Sequence, residues 1–175
     1  MTAEEIENAV AAAELQPLAA GTAEKFQAYL ELLLKWNAKL NLTAIREPEM
    51  ILRRHFLECI FLAQHLPDKT TTLLDFGSGG GFPGLPIALC RPEIRVTLGE
   101  SQSKKAAFLR EAVRTLGTET VVFQGRIEML EEVFDAVAMR AVDKMLEAIP
   151  VAASKVAPGG WLLLFATKES AATLT

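Results

Sequence analysis

The sequence is poor in the residues that mark several specialised protein classes. Its two cysteines, Cys59 and Cys90, lack the close spacing of metal ligands and are too few for a disulfide framework. No apolar run approaches the roughly 20 residues of a bilayer-spanning helix. The first five residues, MTAEE, are acidic, unlike the basic start of a signal peptide. These features predict a cytoplasmic protein with no metal site and no membrane contact.

An excess of positive charge is also lacking. The net charge is −4 at pH 7, which argues against nonspecific binding of nucleic acid. Any nucleic-acid contact would therefore depend on local clusters of basic residues. The candidates are Arg53, Arg54, His55, Lys104, Lys105, Arg110, Arg114, Arg126 and Arg140.

The first part of the chain, residues 1–70, has the pattern of helices. Thr2 and Glu5 have the spacing of a capping box, and apolar residues recur at helical spacing between residues 26 and 34. A third helix is predicted from Pro48 to about Pro67. With 175 residues, half of them hydrophobic, the chain suits one domain, so we expect residues 1–70 to form a helical cap packed on residues 71–175.

The pattern then changes to alternating strands and helices. Strands are predicted at 73–76, 95–100, 120–124, 134–139 and 161–166, and helices at 83–90, 104–116 and 143–153. This alternation is typical of βαβ units, and hence of an α/β fold with a parallel sheet. The fifth strand is apolar on both faces and calls for a further neighbour. Residues 168–175 resemble the start of another helix, so we expect a C-terminal part of the fold to be missing.

A glycine-rich segment follows the first predicted strand. Residues 75–81 match the pattern D-x-G-x-G-x-G, with Gly77, Gly79 and Gly81 in a turn between strand and helix. Glycines let the backbone turn sharply and approach a ligand closely, and this position binds nucleotide-like ligands in α/β sheets. Asp75 ends the first strand and could bind a ligand ammonium. Glu100 ends the second, where its carboxylate could accept both ribose hydroxyls.

The same glycines leave a second interpretation open. Gly79, Gly81 and Gly84 also match G-x-G-x-x-G, the pattern of NAD-binding oxidoreductases. Two features favour S-adenosylmethionine instead. Dinucleotide-binding folds usually begin with this strand, whereas about 70 helical residues precede it here. The Asp75 carboxylate would repel a pyrophosphate but suits a cationic sulfonium and ammonium.

Several motifs together resemble one family, the bacterial 16S ribosomal RNA guanine-N7 methyltransferases, also called glucose-inhibited division protein B. The resemblance covers roughly residues 28–167. The matching segments are 34–37 (LKWN), 41–43 (NLT), 54–55 (RH), 75–86 (DFGSGGGFPGLP), 104–110 (KKAAFLR), 125–128 (GRIE) and 134–141 (FDAVAMRA). The glycine–proline block combined with N-L-T and the later R-A is more specific than the glycine motif alone.

The resemblance implies a Rossmann-like class I methyltransferase sheet with a helical N-terminal cap. It implies cofactor contacts at Gly77, Phe82, Ile127, Glu128 and Arg140. It also implies residues around the target base at Asn41, His55, Lys104, Arg126 and Arg140. By spacing alone, Asn41 would cap a helix and His55 would lie on a buried helix face. The implied partner is 16S rRNA or the small ribosomal subunit, and we expect a monomer.

The absence of other catalytic motifs agrees with N7 chemistry. Guanine N7 has an exposed lone pair and needs no general base, so the enzyme mainly has to align the reactants. The Pro-Pro-aromatic motif of exocyclic-amine methyltransferases is absent after the fourth strand, and neither cysteine follows a catalytic strand. The roles of Lys104, Arg126 and Arg140 stay open among guanine O6, phosphate and the methionine carboxylate. A small-molecule methyltransferase and a non-catalytic cofactor-binding module also stay open.

Overall fold

A parallel five-stranded sheet forms the centre of the protein. The structure is a computed structural model that describes residues 1–140 and 145–165. The strands are β1 (Thr72–Phe76), β2 (Arg95–Glu100), β3 (Val121–Gln124), β4 (Phe134–Arg140) and β5 (Val156–Phe165). Their order is β3-β2-β1-β4-β5, and every neighbouring pair is parallel. The predicted α/β class with a parallel sheet is confirmed.

Helices cover both faces of the sheet. α5 (Gly84–Cys90) follows β1, α6 (Ser103–Leu116) follows β2, and α7 (Met145–Ser154) precedes β5. Successive side chains of a strand point to opposite faces. Leu73 accordingly joins the larger core with α5 and α6, and Leu74 joins the smaller core that includes Ala152 of α7. The predicted beginning of α7 at residue 143, and residues 166–175, lie outside the described residues.

The N-terminal residues form helices, as their pattern predicts. They are α1 (Ala3–Ala12), α2 (Thr22–Asn37), α3 (Pro48–Ile51) and α4 (Leu57–His65), with a π-helical turn at Leu52–Phe56. The Thr2 and Glu5 capping box is present, with both side-chain-to-backbone bonds formed. The predicted third helix is confirmed as a continuous helical segment from Pro48 to His65, in which the π turn lies between α3 and α4. Such turns add one residue to a helical turn and often occur at functional sites.

The last described strand begins earlier than its sequence suggests. The prediction that a Pro-Gly-Gly turn precedes a strand starting at Trp161 was wrong at this end, since β5 starts at Val156. The pairing with β4 shifts register between Phe134↔Val156 and Ala136↔Trp161, so that residues 157–160 lie opposite Asp135 alone. Gly159, with φ of 75°, lies within this irregular stretch. The turn residues therefore bend the strand without ending it.

The strand order determines where a ligand can enter. The chain reverses its direction of strand addition at β1, which has β2 on one side and β4 on the other. In open α/β sheets, the carboxyl ends of strands at such a point border a crevice.

Within 1–140 and 145–165, no helix is long and apolar enough to span a bilayer.

Candidate functional site

The glycine loop leaves β1 in a conformation that requires glycine. Gly77, Gly79 and Gly81 have φ of 74°, 53° and 91°, the left-handed region that other residues rarely adopt. The amides of Gly77 and Ser78 both donate to the carbonyl of Gly99, each at 2.9 Å. A Cβ at Gly81 would lie 2.5 Å from a methyl group of Leu85. Sterics and backbone angles therefore both explain why this segment is glycine-rich.

Glu100 lies against this loop, as the strand ends predict. Its Oε2 accepts a hydrogen bond from the amide of Gly79 at 3.0 Å, and its Oε1 accepts one from the amide of Gln102 at 2.8 Å. The side chain is buried but borders a cavity at the carboxyl ends of the strands. Since each carboxylate oxygen has two lone pairs, both oxygens keep one for a ligand donor.

Asp75 lies beneath the loop and outside the cavity lining. It is fully buried, its Oδ2 accepts from the amide of Gly84 at 3.0 Å, and its Oδ1 has no partner. Burial raises the pKa of Asp75 to about 7, with a smaller contribution from Glu100. Asp75 is therefore only partly charged at neutral pH. The charge argument against a pyrophosphate ligand is correspondingly weaker, and direct ligand contact by Asp75 stays a prediction.

A cavity of about 850 Å³ opens at the carboxyl ends of the strands. It brings together most of the residues singled out from the sequence. These are Asn41, His55, Gly77, Gly79, Phe82, Glu100, Arg126, Ile127, Glu128 and Arg140. Lys104, Asp75 and Gly81 do not line it, whereas Lys105 does. Lys104 is exposed at the start of α6, so its proposed contact with the base stays a prediction.

One wall of the cavity is apolar and is built around the end of β2. Ile127 begins the short 3-10 turn Ile127–Met129, and its Cδ1 would lie only 2.1 Å from a Cβ at Gly99. The absence of a side chain at Gly99 thus makes room for Ile127. At the mouth, Arg126 and Glu128 form an exposed ion pair at 2.9 Å. The cavity therefore has an apolar wall at Ile127 and charged groups at its rim.

Aromatic residues of the N-terminal helices support the glycine loop from behind. The Tyr29 hydroxyl on α2 donates to the carbonyl of Gly80 at 2.5 Å, and its ring stacks on Phe82 with centroids 5.4 Å apart. Phe82 also stacks on the ring of His55, with centroids 4.5 Å apart. The helical cap therefore forms part of the site.

Asn37 organises the segment 41–45, which lines the opposite wall, and the sequence interpretation assigned it no role. Its side-chain oxygen accepts from the amides of Leu42 (2.9 Å) and Thr43 (3.0 Å). Its amide nitrogen donates to the carbonyls of Thr43 (3.0 Å) and Ile45 (3.4 Å). The sequence offered one signal for Asn37, which ends the LKWN segment four residues before Asn41 of the NLT segment. Nothing in the spacing shows that one side chain satisfies four backbone groups.

The Thr43 hydroxyl connects this segment to His55. Its oxygen lies 2.8 Å from His55 Nε2 and accepts from the amide of Ile45 at 3.2 Å. Burial, together with the nearby Arg140 charge, lowers the pKa of His55 to about 4. The imidazole is therefore neutral at physiological pH, and its orientation is set by Thr43 on one edge and Phe82 on one face.

Arg140 ends β4 and connects it to the helical cap. Its guanidinium donates to Glu58 Oε2 at 2.9 Å and to the carbonyl of Arg54, and it lies 5.0 Å from the centre of the Phe165 ring. These contacts fix the guanidinium at the cavity wall. A basic group at this position can bind a ligand carboxylate or a base oxygen.

Comparison with known proteins identifies the family. Residues 22–174 match the family described as rRNA small subunit methyltransferase G. The chain belongs to this family. Relatives named ribosomal RNA small subunit methyltransferase G include proteins from two bacteria. The relative from Neisseria meningitidis is 40% identical over 79% of this chain and 67% of its own length. The one from Nitrosomonas europaea is 47% identical over 67% of this chain and 55% of its own length. The family that the sequence resembles is thus confirmed.

Solved structures share the fold at lower sequence similarity. A methyltransferase from Thiobacillus denitrificans, solved with S-adenosyl-L-homocysteine, has a TM-score of 0.53 and 20% identity, covering 66% of this chain and 53% of that one. The C-terminal domain of a precorrin methyltransferase from Rhodobacter capsulatus also has a TM-score of 0.53, with 18% identity over 75% of this chain and 69% of that one. At sequence identities this low, the similarity concerns the fold alone, which this chain shares with these two methyltransferases.

Proposed function

We propose that the protein transfers a methyl group from S-adenosylmethionine to N7 of a guanine in 16S ribosomal RNA. The observation that carries the proposal is the position of the Glu100 carboxylate. It lies 3.0 Å from the glycine loop, inside a cavity whose rim carries Lys105 and Arg126. Family membership supports the same activity.

The residues present fit S-adenosylmethionine. The Glu100 oxygens suit the two ribose hydroxyls, and Ile127 offers an apolar surface to the adenine. The Gly77 backbone lines the cavity without a side chain, leaving room for the donor's methionine part, and Arg140 offers a partner for its carboxylate. When bound, this donor supplies an electrophilic methyl group on a cationic sulfur.

The chain's own groups would act by positioning. Guanine N7 carries a free lone pair and loses no proton, so the site needs no general base. His55 agrees with this requirement, because its neutral ring is held by Thr43 and stacked on Phe82. The neutral imidazole and Asn41 can contact the base edge, while Lys105 and Arg126 can bind base oxygen or phosphate.

The rim favours RNA over a small substrate. A small-molecule methyltransferase would need an apolar enclosure around its substrate, whereas this mouth has Asn41, Lys105 and the 76% exposed Arg126 side chain. N7 is inaccessible in the deep major groove of an RNA helix. We therefore infer that the target guanine is looped or flipped out, and that a structured or partly assembled subunit is preferred. We also propose a monomer that acts in the cytoplasm.

The decisive experiment measures methyl transfer to small subunits isolated from cells lacking the modification. We expect incorporation at one guanine, detected by cleavage chemistry specific for N7-methylguanine. Arg140→Ala should lower kcat/KM at least about 100-fold with an unchanged circular dichroism spectrum. Arg95→Ala, exposed at the opposite end of β2, serves as the control.

Two results would contradict the proposal: methylation at another atom, and tight binding of NAD in place of S-adenosylmethionine. Full activity of Arg140→Ala would contradict the role assigned to Arg140. Comparable methylation of a short unstructured oligonucleotide would contradict the preference for a structured target.

A further inference from the structure

A second cavity lies between the C-terminal half of α6 and β3, and its lining includes residues that precede the amino end of β3. Its volume is about 380 Å³. The residues that line it are Arg110, Val113, Arg114, Gly117, Thr118, Thr120 and Val122. We call this surface the α6 groove. Two valines give it an apolar floor, and two exposed arginines border it.

The α6 groove adjoins the main cavity through Gln124, the last residue of β3. The Gln124 side chain accepts a hydrogen bond from Arg110 and donates one to Ser103 Oγ at 3.0 Å. The next two residues, Gly125 and Arg126, line the main cavity. A chain leaving the main cavity past Arg126 therefore meets Arg110 first and Arg114 one helical turn further on.

The polar groups of the α6 groove have the chemistry of a phosphate site. Among residues 1–140 and 145–165, no carboxylate lies within ion-pair distance of Arg110 or Arg114. Guanidinium groups bind phosphate oxygens in a bidentate manner. Arginines at positions i and i+4 lie about 6 Å apart on one helix face, so they can contact successive groups of an extended chain.

We propose that the α6 groove binds the phosphate backbone of the nucleotides that flank the target guanine. This inference rests on the proposed RNA substrate and extends its contact surface beyond the main cavity. The groove adds affinity and orientation but touches no reacting atom. Its contribution is therefore to KM and to the salt dependence of binding, since each phosphate contact releases counterions.

The test compares two double variants with the same loss of charge. Arg110→Gln with Arg114→Gln removes the cations of the groove. Lys69→Gln with Arg95→Gln removes two exposed cations at the amino end of the sheet. Steady-state methylation of naked 16S RNA and of isolated small subunits is measured from low to physiological salt, together with the Kd for S-adenosylmethionine. Inorganic phosphate is titrated separately as a probe of a free-anion site.

We expect the groove variant to raise KM for RNA about tenfold at physiological salt and to lower the salt slope by about 1.5. Its Kd for S-adenosylmethionine should match wild type, and the control variant should leave all these values within about twofold.

An unchanged KM and salt slope in the groove variant, with an active wild type, would overturn the groove alone. So would an effect seen with assembled subunits but absent with naked RNA, which would assign the groove to a ribosomal protein. If the groove variant loses saturable phosphate binding but keeps a normal KM for RNA, the groove binds a free anion and not RNA. A wild-type enzyme that methylates no RNA would overturn the proposed function itself.

Discussion

The carboxyl group of Asp75 changes its protonation on folding. Burial raises its pKa from 3.8 to about 7, so the folded state binds a proton that the unfolded chain has already released. The free energy of unfolding therefore falls as pH rises through this window, because the native state holds more protons than the unfolded state. Asp75 costs stability at neutral pH while its Oδ2 supports the loop through the Gly84 amide.

Asp75→Asn should remove this cost and keep an acceptor for the Gly84 amide. Between about pH 4 and pH 7, the free energy of unfolding should change less in the variant than in wild type. The difference between the two changes should be at most about 4 kcal/mol. Urea denaturation at several pH values measures the difference. Asp68→Asn, which replaces an exposed carboxylate, is the control. A variant whose pH dependence parallels that of wild type would show that Asp75 is charged in the folded protein.

Single residues were predictable where one backbone rule governs them. The glycines and Glu100 follow from the position of a strand end, and the structure brings them together. Asn37 and Thr43 were beyond reach, because their roles depend on hydrogen bonds to a segment without regular structure. Lys104 and Lys105 are adjacent in sequence, and only the rotation of α6 decides which one borders the cavity.

Among the local elements, segment 41–45 depends on side chains for its shape. Thr43→Val keeps the volume of Thr43 but removes the hydroxyl that contacts His55 and Ile45. We expect methylation to fall about tenfold with a loss of only about 1 kcal/mol in stability, the value of one hydrogen bond. Thr43→Ser restores the hydroxyl and should restore kcat. Equal activity of the two variants, measured at saturating donor, would remove His55 positioning from the mechanism.

Helices and strands were predictable to the extent that periodicity defines them. The capping box and the alternating apolar strands specify α1 and the sheet, and both are present. The π turn was not predicted, because its buried residues Leu52 and Phe56 also have the i, i+4 spacing of a regular helix face. β5 was misjudged at its start because Pro158 and the two following glycines are also turn residues, and a bulge uses the same chemistry.

At the scale of the molecule, the helical cap and the sheet share one hydrophobic core. Ile6 of α1, Phe26 of α2 and Leu73 of β1 are fully buried within it, and Trp36 contacts Phe108 of α6 with ring centroids 5.8 Å apart. We propose that the cap and the sheet unfold as one unit. The family and the fold class were accessible from sequence at this scale, because motifs spread over the chain define both.

The two tryptophans allow a test of this unit. Trp36 reports on the cap and Trp161 on the far edge of the sheet. In each of the variants Trp161→Phe and Trp36→Phe, the fluorescence of the remaining tryptophan should change at the same denaturant midpoint as the far-UV circular dichroism of that variant. A cap signal that changes at clearly lower denaturant than the far-UV signal would separate the two parts.

The hydrogen bond from Tyr29 to Gly80 has a consequence for protein engineering. Residues 72–90 look like a portable module, yet the outer support of their loop comes from a helix 51 positions earlier in the chain. Grafting the module onto another α/β scaffold would leave the Gly80 carbonyl and the Phe82 ring without that support. A successful transplant would have to bring α2 with it.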